Sequence, residues 1–244
     1  MRLRMRKRDQ RLLLRIASYG HITLEVMQLW FPEMSKTALE SWIKRLRDQR
    51  LPNAAFLDAR RKYYRLSELA VMTLRRQLGV RVSKAAARPR KPGRKAERHG
   101  ALLYCCQHEG RSFYRPSLDR RRFPDIAEHI ANGKADPLRQ KLFYAEGAVV
   151  GYFVLDQGQT TFIASKLSPK LLALAKWRSF QQLVEGGEFR LTVAAVAEAR
   201  ATQLRQALSD DAPPFAWEVV VISEVADLVL NALSSKAHPK ENAG

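Results

Sequence analysis

Lys36, Thr37, Glu40, Ser41, Lys44 and Arg47 follow one another at spacings of one and three residues. Wound into a helix, positions so spaced share one face. A face of amines, a guanidinium, hydroxyls and one carboxylate suits the pairing of phosphate oxygens and the hydrogen bonding of nucleic-acid base edges. Ala38, Leu39, Trp42, Ile43 and Leu46 fall on the opposite side, so Ser35 to Gln49 is predicted to be an amphipathic helix with its basic side exposed. A second basic group, Arg60, Arg61, Lys62 and Arg65, follows where a turn and a returning strand are expected, a placement suited to phosphate or minor-groove contact. Two further clusters, Arg2, Arg4, Arg6, Lys7 and Arg8, then Arg88, Arg90, Lys91, Arg94 and Lys95, read as arms adding salt-sensitive affinity without sequence information.

Other chemistry is poorly served. Asp156 and Lys166 raise the idea of a metal-dependent nuclease, but the strand residues beside Asp156, namely Phe153, Val154 and Leu155, are apolar, and Asp125 and Asp136 lack a carboxylate–x–lysine partner. Asp156 is therefore expected to cap a helix or close a turn. His99, His108 and His129 are scattered, Gly186-Gly187 is a lone pair closing a helix, and the adjacent Cys105 and Cys106 suit neither an ordinary disulfide nor a zinc site. The expectation is of no catalytic set, no metal ligands and no cofactor.

Charge supports the first group. The 244 residues carry 43 Lys and Arg against 24 Asp and Glu, a formal net of +19. Through Arg98 there are 26 basic and 8 acidic residues; from His99 on there are 17 and 16. The excess belongs to the N-terminal part, which must attract a polyanion. No apolar run approaches the ~20 residues that span a bilayer, and the basic start lacks the apolar stretch of a signal peptide, so a cytoplasmic protein without membrane partners is expected.

The elements that would position these residues can be read in order. Leu12, Leu13, Ile16 and Ala17 give a helix over Asp9 to Tyr19, stopped by Gly20. Thr23 caps Leu24 to Trp30, which Phe31-Pro32 ends. After the helix from Ser35 come two short strands, Ala55 to Asp58 and Tyr63 to Leu66, around a basic turn; Ser67 then caps Glu68 to Leu78, closed by Gly79. Helices, basic hairpin and closing helix add up to an α+β winged helix-turn-helix over residues 1–81, with the third helix as the recognition helix. Residues 82–98 read as a basic linker.

Over 99–235 an α/β domain is expected, with residues 236–244 a disordered tail. Ala101 to Gln107 is apolar but of open type, and Arg115-Pro116 through Phe123-Pro124-Asp125 shows no clear order. Val149 to Leu155, Leu191 to Val196 and Trp217 to Ile222 read as strands. Helices are predicted from Ser168-Pro169 to Val184, from Glu198 to Leu208 and from Glu224 to Leu233. Strands alternating with helices predict a mostly parallel sheet.

The layout resembles the replication-relaxation family of bacterial plasmids and integrative elements. In the first half the resemblance rests on Arg11 to Ile16, the helix from Ser35, and Arg61-Lys62-Tyr63-Tyr64-Arg65-Leu66 leading into Ser67-Glu68-Leu69-Ala70. In the second it rests on Gly151 to Gly158, Lys166-Leu167, and Leu191 to Leu204. It implies a winged helix-turn-helix followed by a restriction-endonuclease-like domain. Val154 stands where the nuclease pattern has an acidic residue, and Asp156 is the one position that matches. The function implied is that of a mobile-element DNA-binding protein, not an enzyme: a transcriptional regulator or a replication or transfer accessory factor. A homodimer on double-stranded DNA is expected, since two recognition helices would then read half-sites about one helical turn apart.

Overall fold

A computed structural model describes residues 5–57, 61–79, 82, 92–108, 110–138, 141–158 and 167–237. The chain divides into two compact units, Met1–Lys91 and Pro92–Gly244. None of the described helices is long and apolar enough to cross a membrane.

The first unit is built from α1 (Lys7–Tyr19), β1 (Ile22–Thr23), α2 (Leu24–Trp30), α3 (Lys36–Asp48), β2 (Pro52–Phe56), β3 (Lys62–Leu66) and α4 (Glu68–Leu78). Side-chain oxygens set three helix starts: Thr23 Oγ1 accepts from the Val26 amide at 3.4 Å, Ser35 Oγ from Ala38 at 3.2 Å, and Ser67 Oγ from Ala70 at 3.0 Å. Gly20 ends α1 at φ 84°, its N–H donating to the Ile16 carbonyl, a left-handed position that glycine occupies without strain. The strands form an antiparallel sheet in the order β1-β3-β2, with Phe56 opposite Lys62 and Ile22 opposite Tyr64. Leu12, Leu13 and Ile16 of α1, Leu39, Ile43 and Leu46 of α3, and Leu66 of β3 close the core.

Three expectations shift here. The basic N-terminal arm is shorter than predicted, since α1 begins at Lys7 and Arg6 is its cap residue, anchored by donation from its N–H to Asp9 Oδ2 at 3.2 Å. Ala38, assigned to the apolar face of α3, is exposed, because it stands one position beyond the stripe that Leu39, Trp42, Ile43 and Leu46 define. The first hairpin strand starts at Pro52, and β1, too short to leave a periodic signal, adds a third strand.

The second unit opens with α5 (Pro92–Cys106), so residues 92–98 are helical and not linker. Over its first turns the buried positions are Ala96, His99 and Gly100; the strongly apolar buried residues, Leu102, Leu103 and Tyr104, come only later. There follow β4 (Arg111–Tyr114), α6 (Pro124–Ala131), β5 (Leu142–Glu146), β6 (Val149–Leu155), α7 (Ser168–Ala175), α8 (Arg178–Glu185), β7 (Phe189–Ala195), α9 (Glu198–Asp211), β8 (Ala216–Val221) and α10 (Ala226–Ala237). The sheet order is β4-β5-β6-β7-β8, antiparallel between β4, β5 and β6 and parallel from β6 to β8. The chain is thus α+β with a mixed sheet, and the expected mostly parallel sheet is corrected: β6, β7 and β8 are the three predicted strands, while β4 and β5 were not foreseen. A two-residue turn, Gly147-Ala148, returns β5 to β6 as a hairpin, with Gly147 at φ 58°. The single helix predicted to Val184 is two, because Trp177 turns extended (φ −100°, ψ 124°) and caps α8.

Val150, Tyr152 and Val154 of β6, with Leu191, Val193 and Ala195 of β7, pack against Ile126 of α6, Phe180 and Leu183 of α8, and Leu204 and Leu208 of α9. Across the sheet, Gly151, Phe153 and Leu155 alternate to the other face, where α5 lies: a Cβ on Gly100 would meet Phe153 at 3.4 Å, and the Tyr104 and Phe153 ring centroids are 5.7 Å apart. The last residues of the expected tail divide, with 236 and 237 ending α10 and 238–244 outside the described residues.

Candidate nucleic-acid interface

The capping of α3 at Ser35 and the burial of its apolar stripe fix which side faces out. Lys36, Thr37, Glu40, Ser41, Lys44 and Arg47 are all exposed. At about 100° per residue they cover an arc of roughly 140°, with Lys36, Arg47 and Glu40 at one margin, Lys44 and Thr37 in the middle and Ser41 at the other margin. The first margin borders the sheet. Burial pushes the hydroxyl of Tyr64 on β3 above its ordinary range; the Arg47 charge opposes that rise and the Glu40 charge adds to it. Lys44 and Thr37 are the side chains held farthest from either margin.

The hairpin places Lys62 exposed at the start of β3, its Nζ 5.7 Å from the ring centroid of Phe56 on β2. The Leu57 amide donates to the Arg61 carbonyl at 2.8 Å, closing the turn. Arg61 and Arg65 are half-buried. The buried Nε of Arg65 has no hydrogen-bond partner among the described residues, which makes Arg65 a weaker contact residue than its sequence position implied. Arg60, and with it the tip of the turn, lies outside the described residues, as do Arg2, Arg4, Arg88, Arg90, Lys91 and Lys166. Arg94 and Lys95, placed in the linker arm by sequence, stand on α5, and Arg94 pairs with Glu97 at 2.9 Å.

Sequence reasoning missed a basic and aromatic cluster beside α3. Asp9, 1 % exposed, accepts from Trp42 Nε1 at 2.7 Å and pairs with Arg45 Nη2 at 2.6 Å. Burial opposes ionisation of this carboxyl, but the bonds from Arg45, Trp42 and the Arg6 amide outweigh it and hold the group below its ordinary range. The Arg8 guanidinium lies 4.4 Å over the Trp42 ring, and that of Arg15 4.7 Å over Trp30; both also lie within 6 Å of Phe31, at 5.9 and 5.6 Å. Phe31 meets Trp42 edge-on at 5.1 Å, and Tyr19 meets Trp30 at 5.1 Å. Arg6, Arg8, Asp9, Met34, Ser41, Trp42 and Arg45 line a cleft of about 280 Å³. The one sequence signal was the seven-residue interval between Arg8 and Arg15, which puts both on one side of α1.

In the second unit Asp156 sits at the end of β6, 1 % exposed, with Oδ2 on Arg200 Nε at 2.6 Å and Oδ1 accepting from the Gly158 amide at 3.2 Å. It closes a turn and is neutralised by an arginine, as a structural carboxylate is. Asp125 accepts from the Ser179 amide and hydroxyl, and Asp136 from the Leu138 amide. No group of three His, Cys, Asp or Glu side chains able to hold a metal occurs among the described residues. On the α5 side of the sheet Tyr104, Tyr144, Thr192 and Glu218 form a hydrogen-bonded cluster: Tyr144 and Thr192 hydroxyls lie 2.8 Å apart, Thr192 donates to Glu218 Oε1 at 2.9 Å, and Tyr104 donates to the same carboxylate. Nearby, Glu146 pairs with Arg111 at 3.1 Å and Arg190 at 2.9 Å.

Burial pushes the Cys105 thiol up to about 12, with the neighbouring Cys106 adding to the rise. Folded protein treated with iodoacetamide at pH 8 is therefore expected to be alkylated at Cys106 and spared at Cys105 until it is unfolded, read by peptide mass spectrometry; equal labelling in the native state would contradict this packing.

Comparison of the chain with family models, curated proteins and solved structures returns no match.

Proposed function

We propose that this chain binds duplex DNA, with the first unit acting as a winged helix-turn-helix: α3 enters the major groove and the β2–β3 hairpin tracks the backbone as the wing. The observation carrying this reading is the exposed arc of α3, six polar residues, three of them basic, held outward by the burial of Leu39, Trp42, Ile43 and Leu46. An α-helix fits the major groove, and mid-arc side chains reach base edges while those at the margins meet phosphates. That division assigns base reading to Lys44 and Thr37. The net charge of +19, gathered in the N-terminal part, supplies the attraction.

The second unit, with a mixed sheet covered by helices on both faces, serves dimerisation or partner contact as a restriction-endonuclease-type core without catalysis. The pairing of Asp156 with Arg200 supports this, since a carboxylate so engaged is not presented to a metal. The resemblance to replication-relaxation proteins suggests the setting: a plasmid or integrative element in a bacterial cytoplasm, where the protein regulates transcription or assists replication or transfer as a homodimer.

The test is a salt titration of binding to the DNA upstream of its own gene and to scrambled duplex, with Mg²⁺ present and product lengths checked. Preference for the upstream DNA that survives ~150 mM salt is expected. Lys44→Ala should weaken that specific binding by about tenfold and random-duplex binding far less, because a base-edge contact contributes ~1–3 kcal/mol of discrimination. Equal losses on both duplexes would remove Lys44 from base reading. Shortened products would establish a nuclease, and a protein partner held at high salt without DNA affinity would make the unit a protein-interaction scaffold.

A further inference from the structure

We infer that Arg8 and Arg15 of α1, with Arg45 of α3, form a preorganised seat for phosphodiester groups of the DNA backbone that adjoins the α3 arc and is distinct from the hairpin. The inference rests on the DNA-binding reading above and assigns a second contact surface to the same unit.

Three observations carry it. First, the guanidinium planes of Arg8 and Arg15 are laid over Trp42 and Trp30, and both reach Phe31. Among the described residues neither has a carboxylate partner. An arginine stacked on an aromatic face keeps its in-plane N–H groups available for phosphate oxygens and has already lost much of its rotamer freedom. Second, Asp9 is buried beneath the cleft and is committed to Trp42 and Arg45. It holds the Arg45 side chain, 38 % exposed, at the cleft wall beside Arg6 and Arg8, so three cations face one carboxylate there. Third, Ser41 and Arg45 stand at the α1-side margin of the α3 arc, which makes the seat continuous with the surface proposed to enter the groove. Arg8 and Arg15 are separated by two helical turns, about 10 Å along α1, and so engage different phosphates.

A nucleobase is a poorer occupant than a phosphate. Arg8 already covers the Trp42 face and Phe31 packs against the same ring, so a base would first have to displace both. Ser41, at the α1-side margin, belongs with the phosphate group of contacts.

The experiment measures binding of the full chain to a labelled random-sequence duplex by fluorescence anisotropy across a salt series. The variants are Arg8→Ala, Arg8→Lys, Arg15→Ala and Arg15→Lys, with Lys44→Ala and Lys62→Ala as references and thermal melts as a folding control. Each alanine variant is expected to bind about three- to tenfold more weakly at ~100 mM salt, with the slope of log affinity against log salt reduced by about one. The lysine variants keep the charge but lose the planar fork, and are expected to recover less than half of the loss on a logarithmic scale. Lysine variants that bind like the parent, or alanine variants with an unchanged salt slope, would overturn the seat. If Lys44→Ala or Lys62→Ala weakens binding while the Arg8 and Arg15 variants do not, the seat fails and the DNA-binding reading stands. If the parent chain binds no duplex, both fail. Inorganic phosphate and a nucleoside monophosphate, titrated alone against tryptophan fluorescence, separate the sources: millimolar or weaker binding supports a backbone seat, and binding as tight as the duplex would make it a small-anion site instead.

Discussion

Gly151→Ala is expected to destabilise the second unit by about 3 kcal/mol or more, at the upper end of what overpacking a core costs. Gly151 faces Tyr144 across the β5–β6 pair, and a Cβ built there overlaps Cζ, Cε1 and the hydroxyl of that tyrosine. A flexible side chain would swing aside, but Tyr144 cannot do so cheaply. It is fully buried, its hydroxyl lies 2.8 Å from Thr192 Oγ1 and 3.2 Å from the Tyr104 hydroxyl, and its ring meets that of Tyr104 at 5.1 Å. Moving it would leave the Glu218 cluster with an unpaired buried group, a further cost of about 1–3 kcal/mol. Urea denaturation followed by circular dichroism measures the loss, and a double-mutant cycle assigns it: Tyr144→Leu with Gly151→Ala should be less destabilised than the sum of the two single variants. A Gly151→Ala protein that unfolds at the parent's urea midpoint would mean that the ring has room elsewhere.

Asp9→Ala is the second large effect, about 3 kcal/mol, from the cost of stranding one partner of a buried ion pair, held to the low end by the partial exposure of Arg45. It removes the acceptor for Trp42 Nε1 and the counter-ion of Arg45 together and loosens α1 from α3. The amides of α1 and α3 should then exchange faster with deuterium. The pH dependence has a definite sign. The folded-state pKa of Asp9 lies below the unfolded value, near 3.8, so its stabilisation is fully present above about pH 4 and is lost as the pH falls through the depressed value. The stability difference between the parent and Asp9→Asn should accordingly be constant from pH 5 to 7 and shrink on acidification. A difference that grew toward acid would contradict the ion pair. Because Asp9 also supports Arg45, the same variant should weaken DNA binding if the phosphate seat is as described.

The local grammar of the first unit was legible because each signal lies within a turn or two of the structure it dictates. Ser35, Thr23 and Ser67 cap the helices that follow them, Gly20 ends α1 at positive φ, and the interval of Leu39, Trp42, Ile43 and Leu46 determines which side of α3 is buried and hence which six residues are exposed. The sequence by itself also determined where the charge gathers.

What only the tertiary structure decided involves residues far apart in the chain. β4 and β5 are short and lack a clean alternation; they become strands because β6 offers an unpaired edge beyond the Gly147 turn. The start of α5 was hidden because alanine, histidine and glycine carry its buried side, and Trp177 breaks the α7–α8 segment without a glycine or proline to announce it. The partnerships of Arg8 with Trp42, Arg15 with Trp30 and Asp9 with Arg45 join positions that no periodicity connects. Helix and strand periods report which face a residue occupies and say nothing of what the fold brings against it. That is why the exposed arc of α3 could be read from the sequence while the arginines stacked beside it could not.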